Sequence, residues 1–236
     1  MTELVFRDDP YAKSCQATVA AVTSEGIELD RTVFYPTGGG QPGDSGRLSF
    51  AGAAIAIAHA VKGTGPESVI HVPTDGAAVA RLAPGAPVEA VIDWERRYRL
   101  MRMHTCLHLM SAVLPYPVTG GSVGDGKGRL DLDIPEASLD KDEITARLNQ
   151  LIGEGHPVSA EWIDETNLAA QPELVKTMAV KPPAGAGRVR LIRVQDLDLQ
   201  ACGGTHVANT SEIGTVAVRK IKKKGRHNRR VSVELK

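Results

Sequence analysis

Two histidines one helical turn apart, and a cysteine four residues ahead of a third histidine about a hundred residues later, are the groups in this chain best suited to chemistry. His104-Thr105-Cys106-Leu107-His108 reads as helix, where positions i and i+4 share a face, so both imidazoles can reach one metal ion. Cys202-Gly203-Gly204-Thr205-His206 supplies a thiolate and a third imidazole, with two glycines that let the backbone turn tightly and approach closely. Nitrogen and sulfur donors of this softness favour zinc over magnesium or calcium, which prefer oxygen. Alone, each histidine or the cysteine is an ordinary half-buried or buried side chain. Two i, i+4 pairs together point to one zinc ion per chain. Four protein ligands usually mark a structural ion, whereas a catalytic one keeps a position for water or substrate, and spacing leaves that choice open. A metalloprotease would need Glu beside the first histidine, and Thr105 stands there.

These pairs need elements to hold them. Apolar residues at Leu100, Met103, Leu107, Met110 and Leu114 form the stripe of a helix over about Trp94 to Leu114, with Asp93 placed to cap it and His104 and His108 one position off the stripe. Before it, Gln16 to Val22, Ile27 to Tyr35, Arg47 to Phe50, Ala53 to Val61, Val69 to Val72 and Val88 to Ile92 read as short strands separated by turn residues, the pattern of a small β-barrel. After it, Asp140 and Glu143 signal a capping box for a helix stopped by Gly153 and Gly155. His156 to Ile163 is a strand, Thr166 to Lys176 a short helix, and Val189 to Val194 another strand. A final hairpin pairs Gly214 to Ile221 with Arg229 to Leu235. The expected fold class is α+β: an N-terminal small β-barrel over residues 1–91, then an α+β domain over 92–236 with an antiparallel sheet and packed helices.

Composition bounds the function. Of 236 residues, 42% are hydrophobic and 24% charged, values of an ordinary globular chain, and no apolar run approaches the ~20 residues that span a bilayer. Acids at the N-terminus do not fit a secretory signal, so a cytoplasmic location is expected, with Cys15, Cys106 and Cys202 as thiols. Net charge is zero but unevenly spread: residues 219–236 hold nine Lys/Arg against one acid, and the rest of the chain is acidic. Lys222, Lys223, Lys224, Arg226, Arg229 and Arg230 crowd around a turn at Lys224-Gly225, a suitable surface for RNA phosphates; a charged edge that resists aggregation is the plainer alternative.

Taken together, the HxxxH helix and the distant CxxxH resemble the editing domain of alanyl-tRNA synthetase and its free-standing AlaX relatives. The likeness extends over Asp30-Arg31-Thr32-Val33-Phe34-Tyr35-Pro36-Thr37-Gly38-Gly39-Gly40-Gln41-Pro42, Met101 to Leu109, Gly128 to Asp133, Gln200 to Val207 and the basic ending, nearly the whole chain. It implies a barrel joined to an α+β editing domain that hydrolyses the ester between serine, or in some members glycine, and the terminal adenosine of alanine tRNA. With no aminoacylation module, the chain looks like the mid-length form acting in trans. The resemblance also places Gly38, Gly39, Gly40 and Gln41 beside the editing pocket and the acceptor end, and matches Thr32 to a pocket threonine; a barrel turn and an ordinary β-branched strand residue are the plainer readings. Cys106 departs from the family, where alanine is common, and puts a second thiol near the ligands.

Zinc in such a site either lowers the pKa of a bound water or holds the substrate while another water attacks. Thr32 and Gln41 are the expected selectivity residues. A partner for the serine hydroxyl is left unsatisfied when alanine binds, so alanine is spared. The rival readings are editing of serine on threonine tRNA, whose synthetase carries a related domain, and a zinc-stabilised tRNA-binding module without catalysis.

Overall fold

Apolar residues at every second position, interrupted at glycines and polar turns, generate most of the strands. The computed structural model describes residues 2–65, 67–134, 139–177 and 187–236, and its packing divides them into two units, Met1–Tyr98 and Arg99–Lys236.

The first unit runs β1 (Glu3–Leu4), α1 (Val5–Asp8), β2 (Ser14–Val22), β3 (Ile27–Leu29), β4 (Arg31–Thr32), β5 (Gly46–Phe50), β6 (Ala53–Lys62), β7 (Val69–Pro73) and β8 (Pro87–Ile92). Six of these strands close a barrel in the order β2-β3-β7-β6-β5-β8, with β8 returning to pair antiparallel with β2. Its interior is filled by Val19, Ile27, Leu29, Leu48, Ile55, Ile57, Val88 and Ala90, all buried. Each large side chain there contributes roughly 1.5–3 kcal/mol. The strand expected over Ile27 to Tyr35 is broken. At Asp30 the N–H still donates to Thr18 O at 3.0 Å, but the carboxylate rather than the main-chain carbonyl accepts the Thr18 N–H at 2.7 Å, and β4 pairs in parallel with β1.

Helix α2 (Trp94–Val113) starts where Asp93 accepts the Arg96 N–H at 3.1 Å. The division between units falls inside this helix, because its first turn stays with the barrel: Trp94 packs on the barrel core and Arg97 is wholly buried within the first unit.

The second unit continues with β9 (Val118–Val123), β10 (Lys127–Asp133), α3 (Lys141–Glu154), β11 (Val158–Asp164), α4 (Glu165–Ala169), β12 (Arg188–Val194), β13 (Asp198–Ala201), β14 (Val216–Lys223) and β15 (Asn228–Leu235). They form a four-stranded antiparallel sheet, β14-β15-β10-β9, and a three-stranded one, β11-β12-β13. The whole is the α+β arrangement with a leading barrel that the pattern predicts. Asp140 caps α3 by accepting the Asp142 and Glu143 N–H groups, and the helix runs through Gly153 to end at Gly155, whose φ of 73° suits glycine. The helix expected over Thr166 to Lys176 stops at Ala169: Pro172 lacks an N–H and pushes Gln171 out of helical conformation, leaving only a 3-10 turn at Pro172–Leu174.

One glycine sets how closely the histidine-bearing helix meets its sheet. A Cβ on Gly128 of β10 would lie 2.6 Å from Met103 Sδ and 3.2 Å from Leu107 Cδ2. Gly128→Ala is therefore expected to displace that face of α2 and cost about 1–3 kcal/mol, read as a lower denaturant midpoint at unchanged slope. An unchanged midpoint would mean that the packing there is slack. Among the described residues, no helix is long and apolar enough to cross a membrane.

Candidate metal centre

From Leu100 to Ser111 helix α2 is buried on almost every side, Arg102 being the half-buried exception, so the histidines one position off the stripe are enclosed too: His104 and His108 are 6% and 5% exposed. The Cys202–His206 loop follows directly from β13 and is held by Arg190 of β12, whose Nη1 donates to Gly204 O at 2.8 Å and Cys202 O at 3.2 Å. Together these elements bring His104, His108, Cys202 and His206 into one cluster whose candidate ligand atoms all lie within 4.8 Å of one another.

The two sulfur–nitrogen spacings fit a tetrahedral ion. Bonds of about 2.0–2.1 Å to nitrogen and 2.3 Å to sulfur put nitrogen and sulfur ligands about 3.5 Å apart. Cys202 Sγ lies 3.5 Å from His104 Nε2 and 3.4 Å from His206 Nε2. Protonation fits as well. Burial raises the Cys202 thiol, but His104 and His206 outweigh it and hold the group well below the thiol range, as a thiolate. Burial, with His104 and His108, keeps His206 well below the usual imidazole value and so neutral. For His108 burial works downward, yet Asp198 and Cys202 prevail and raise it to about 9; a proton there supplies the positive charge that a cation would otherwise bring.

Behind the cluster lies a network that spacing does not reveal. Asp198 Oδ2 stands 3.3 Å from His108 Nδ1, an ion-pair contact without the alignment of a hydrogen bond. The same carboxylate accepts from Gln200 Nε2 at 2.6 Å and pairs with Lys176 Nζ, while Gln200 also donates to Ser111 Oγ at 3.1 Å. Burial opposes ionisation of Asp198, but His108, Lys176 and Gln200 bring its pKa down to about 2, so it stays a carboxylate through the physiological range. This arrangement turns His108 so that Nε2 is left for a metal. On the other side, Thr105 Oγ1 sits 3.1 Å from His206 Nδ1 and accepts the Val207 N–H at 3.3 Å, fixing that ring. Outer partners of this kind are worth roughly 10- to 100-fold in metal affinity. Asp198→Asn is expected to lose that much in competition with a chelator while the circular dichroism spectrum is retained; equal affinity would deny the carboxylate its role.

Cys106 is buried, outside the cluster, and pushed up to about 12 by burial, so the sulfur brought to the histidines is that of Cys202. Gly203 is exposed beside a half-buried Cys202, while the three histidines are buried.

The other expected residues lie in the first unit or on the terminal hairpin. Thr32 is fully buried, its hydroxyl 2.8 Å from His71 Nε2 and accepting the Phe34 N–H at 3.0 Å. Gly38 and Gln41 exchange backbone hydrogen bonds across a two-residue turn, with φ of 55° at Gly39 and 81° at Gly40, values that require glycine. The tip is exposed and the Gln41 side chain is buried. Tyr35 braces the turn by donating from its hydroxyl to Gly38 O at 2.8 Å. On the hairpin, Lys222, Lys223, Lys224 and Arg226 are exposed, and Lys222 is lowered first by its contact with Lys220 and further by Lys224 and Arg230, a mark of crowded positive charge. Arg229 and Arg230 are half-buried, and Arg230 forms a two-point pair with Asp131 across β10 and β15.

Residues 189–232 match the family described as threonyl and alanyl tRNA synthetase second additional domain, and residues 7–96 match the class II (A) tRNA synthetases. The alanyl-tRNA editing protein AlaX-M of Methanosarcina acetivorans is 36% identical over 239 residues, covering 98% of each chain. That of Pyrococcus horikoshii is 31% identical over 243 residues, covering all of this chain and 98% of its own. The alanine–tRNA ligase of Aeropyrum pernix is 35% identical over 221 residues, 90% of this chain but 24% of the ligase.

Proposed function

Because the chain belongs to the AlaX-M family of alanyl-tRNA editing proteins, we propose that it is a zinc-dependent aminoacyl-tRNA deacylase that hydrolyses the ester joining serine to the 3′-terminal adenosine of alanine tRNA. The observation that carries this reading is the cluster of three imidazoles and a thiol, with Cys202 Sγ at tetrahedral spacing from two of the ring nitrogens. Its likeness to editing proteins from end to end supports the reaction class.

His104, His108, Cys202 and His206 would hold the zinc, which when bound would supply Lewis-acid polarisation of the ester or of water. The protein's own part is to aim the ligands: Asp198 orients the His108 ring and Thr105 the His206 ring. The approach of the substrate is assigned to the side of Cys202 and exposed Gly203. Thr32 and Gln41 are assigned selectivity for serine over alanine: substituting either is expected to change rate or selectivity at unchanged metal content, and loss of metal would contradict the assignment.

Editing on threonine tRNA shares one of the matched families, but the relatives aligned from end to end are named for alanyl-tRNA editing. Comparing serine esters of the two tRNAs separates them, with faster loss expected from alanine tRNA. Exposed Lys222, Lys223 and Arg226 are assigned to tRNA phosphates. Neutralising all three is expected to weaken binding and flatten its dependence on salt, by about 0.9 in the logarithmic slope for each phosphate that is no longer paired with a cation. Unchanged affinity in filter binding would remove the hairpin from the interface.

A further inference from the structure

Trp162 is the only large hydrophobic side chain among the described residues to stand exposed, at 41%. It lies on β11, an edge strand of the three-stranded sheet, with the Arg188 guanidinium 5.9 Å from its ring centroid. The register shows which face it occupies. Trp162 lies directly opposite Arg190, and Ile192 opposite Gln200; Asp198 and Gln200 alternate on β13. Directly opposed residues and every second residue along a strand share a face. Trp162 and Arg188 therefore share a face with Arg190, which bonds the Cys202–Gly204 loop, and with Asp198, which orients His108. The opposite face carries the packed Ile163, Val189 and Leu191. From β13 to β11 is two strand spacings, about 10 Å.

A planar ring left open to solvent beside a guanidinium is the combination that receives unpaired bases, through stacking and cation–π attraction. We propose that Trp162, with Arg188 beside it, is the stacking platform for an unpaired base at the acceptor end of the tRNA, holding the terminal nucleotides while the ester reaches the metal centre. The proposal rests on the deacylase reading and adds to it a positioning residue for the single-stranded tail. Stacking of this kind is worth roughly five- to a hundred-fold in affinity per base.

The test uses the full-length, metal-loaded protein with Trp94→Phe, which leaves Trp162 as the sole tryptophan. An RNA hairpin ending in single-stranded CCA is titrated in parallel with the same hairpin made blunt. Quenching of Trp162 emission by the tailed hairpin alone is expected, together with a five- to hundred-fold higher KM for Trp162→Ala at unchanged kcat and metal content, partly restored in Trp162→Phe. Binding of the tailed hairpin, seen by anisotropy, with no quenching and with equal affinity for Trp162→Ala overturns the platform while leaving the deacylase reading intact. Absence of RNA binding by the wild-type protein removes that reading and the platform with it.

Discussion

Cys202→Ser is expected to release the metal and abolish deacylation. The side chain is the one sulfur of the cluster, within 3.5 Å of two of its imidazole nitrogens and held below the thiol range by His104 and His206. A serine hydroxyl does not ionise near neutral pH, so the site loses both a soft ligand and a negative charge. The resulting loss of metal affinity should exceed the roughly 10- to 100-fold that follows from disturbing an outer partner such as Asp198. Elemental analysis and deacylation rates on the same preparation check it, with Cys106→Ala as the matched control. That second thiol lies outside the cluster and is held protonated by burial, so its removal should leave metal content unchanged. Retention of metal and activity by Cys202→Ser would dismantle the assigned ligand set.

Asp44→Ala is expected to destabilise the barrel unit by about 3–5 kcal/mol, because it strands a buried charge. Arg97 is completely buried, with Nε 2.9 and 3.0 Å from the two carboxylate oxygens, Nη2 also paired to Asp44 and donating to Val33 O at 2.7 Å, and Nη1 donating to Pro10 O at 3.1 Å. Asp44 also accepts the Tyr35 N–H at 2.6 Å, so the pair braces the residue from which the Gly38–Gln41 turn hangs. Denaturant unfolding measures the loss. The double variant Asp44→Leu with Arg97→Met should recover much of it, since a buried ion pair replaced whole by apolar groups is often neutral. A single-variant cost below about 1 kcal/mol would mean that solvent or rearrangement satisfies Arg97.

The contrast between these two sites shows what a sequence carries. His104, His108, Cys202 and His206 are legible because i, i+4 pairing is local, and the barrel strands and the Asp93 and Asp140 caps are legible for the same reason. Asp198 is not: four residues ahead of Cys202 it resembles any turn acid, and only the pairing of β12 with β13 and the approach of α2 bring it to His108. Arg97 sits in a charged helix start that looks like surface, its partner 53 residues away. Strands β9 and β10 escape the pattern because Gly120, Gly121 and Gly128 dilute their alternation, and Gly128 is there for helix packing. The break at Pro172 follows from proline chemistry alone, although the apolar spacing around it suggests an unbroken helix. The two-way capping box is the one between Asn209 and Glu212, in a turn after His206 too short to show helical periodicity.

The central claim, a metal-dependent deacylase selective for serine on alanine tRNA, is tested most directly by incubating the purified protein with serine-charged and alanine-charged alanine tRNA before and after chelation and following the charged tRNA that remains. Rapid loss of the serine ester, abolished by chelation and restored by zinc, with the alanine ester retained, is the result the account requires. Zinc-loaded protein that binds the tRNA and cleaves neither ester would contradict it and leave a tRNA-binding module in its place.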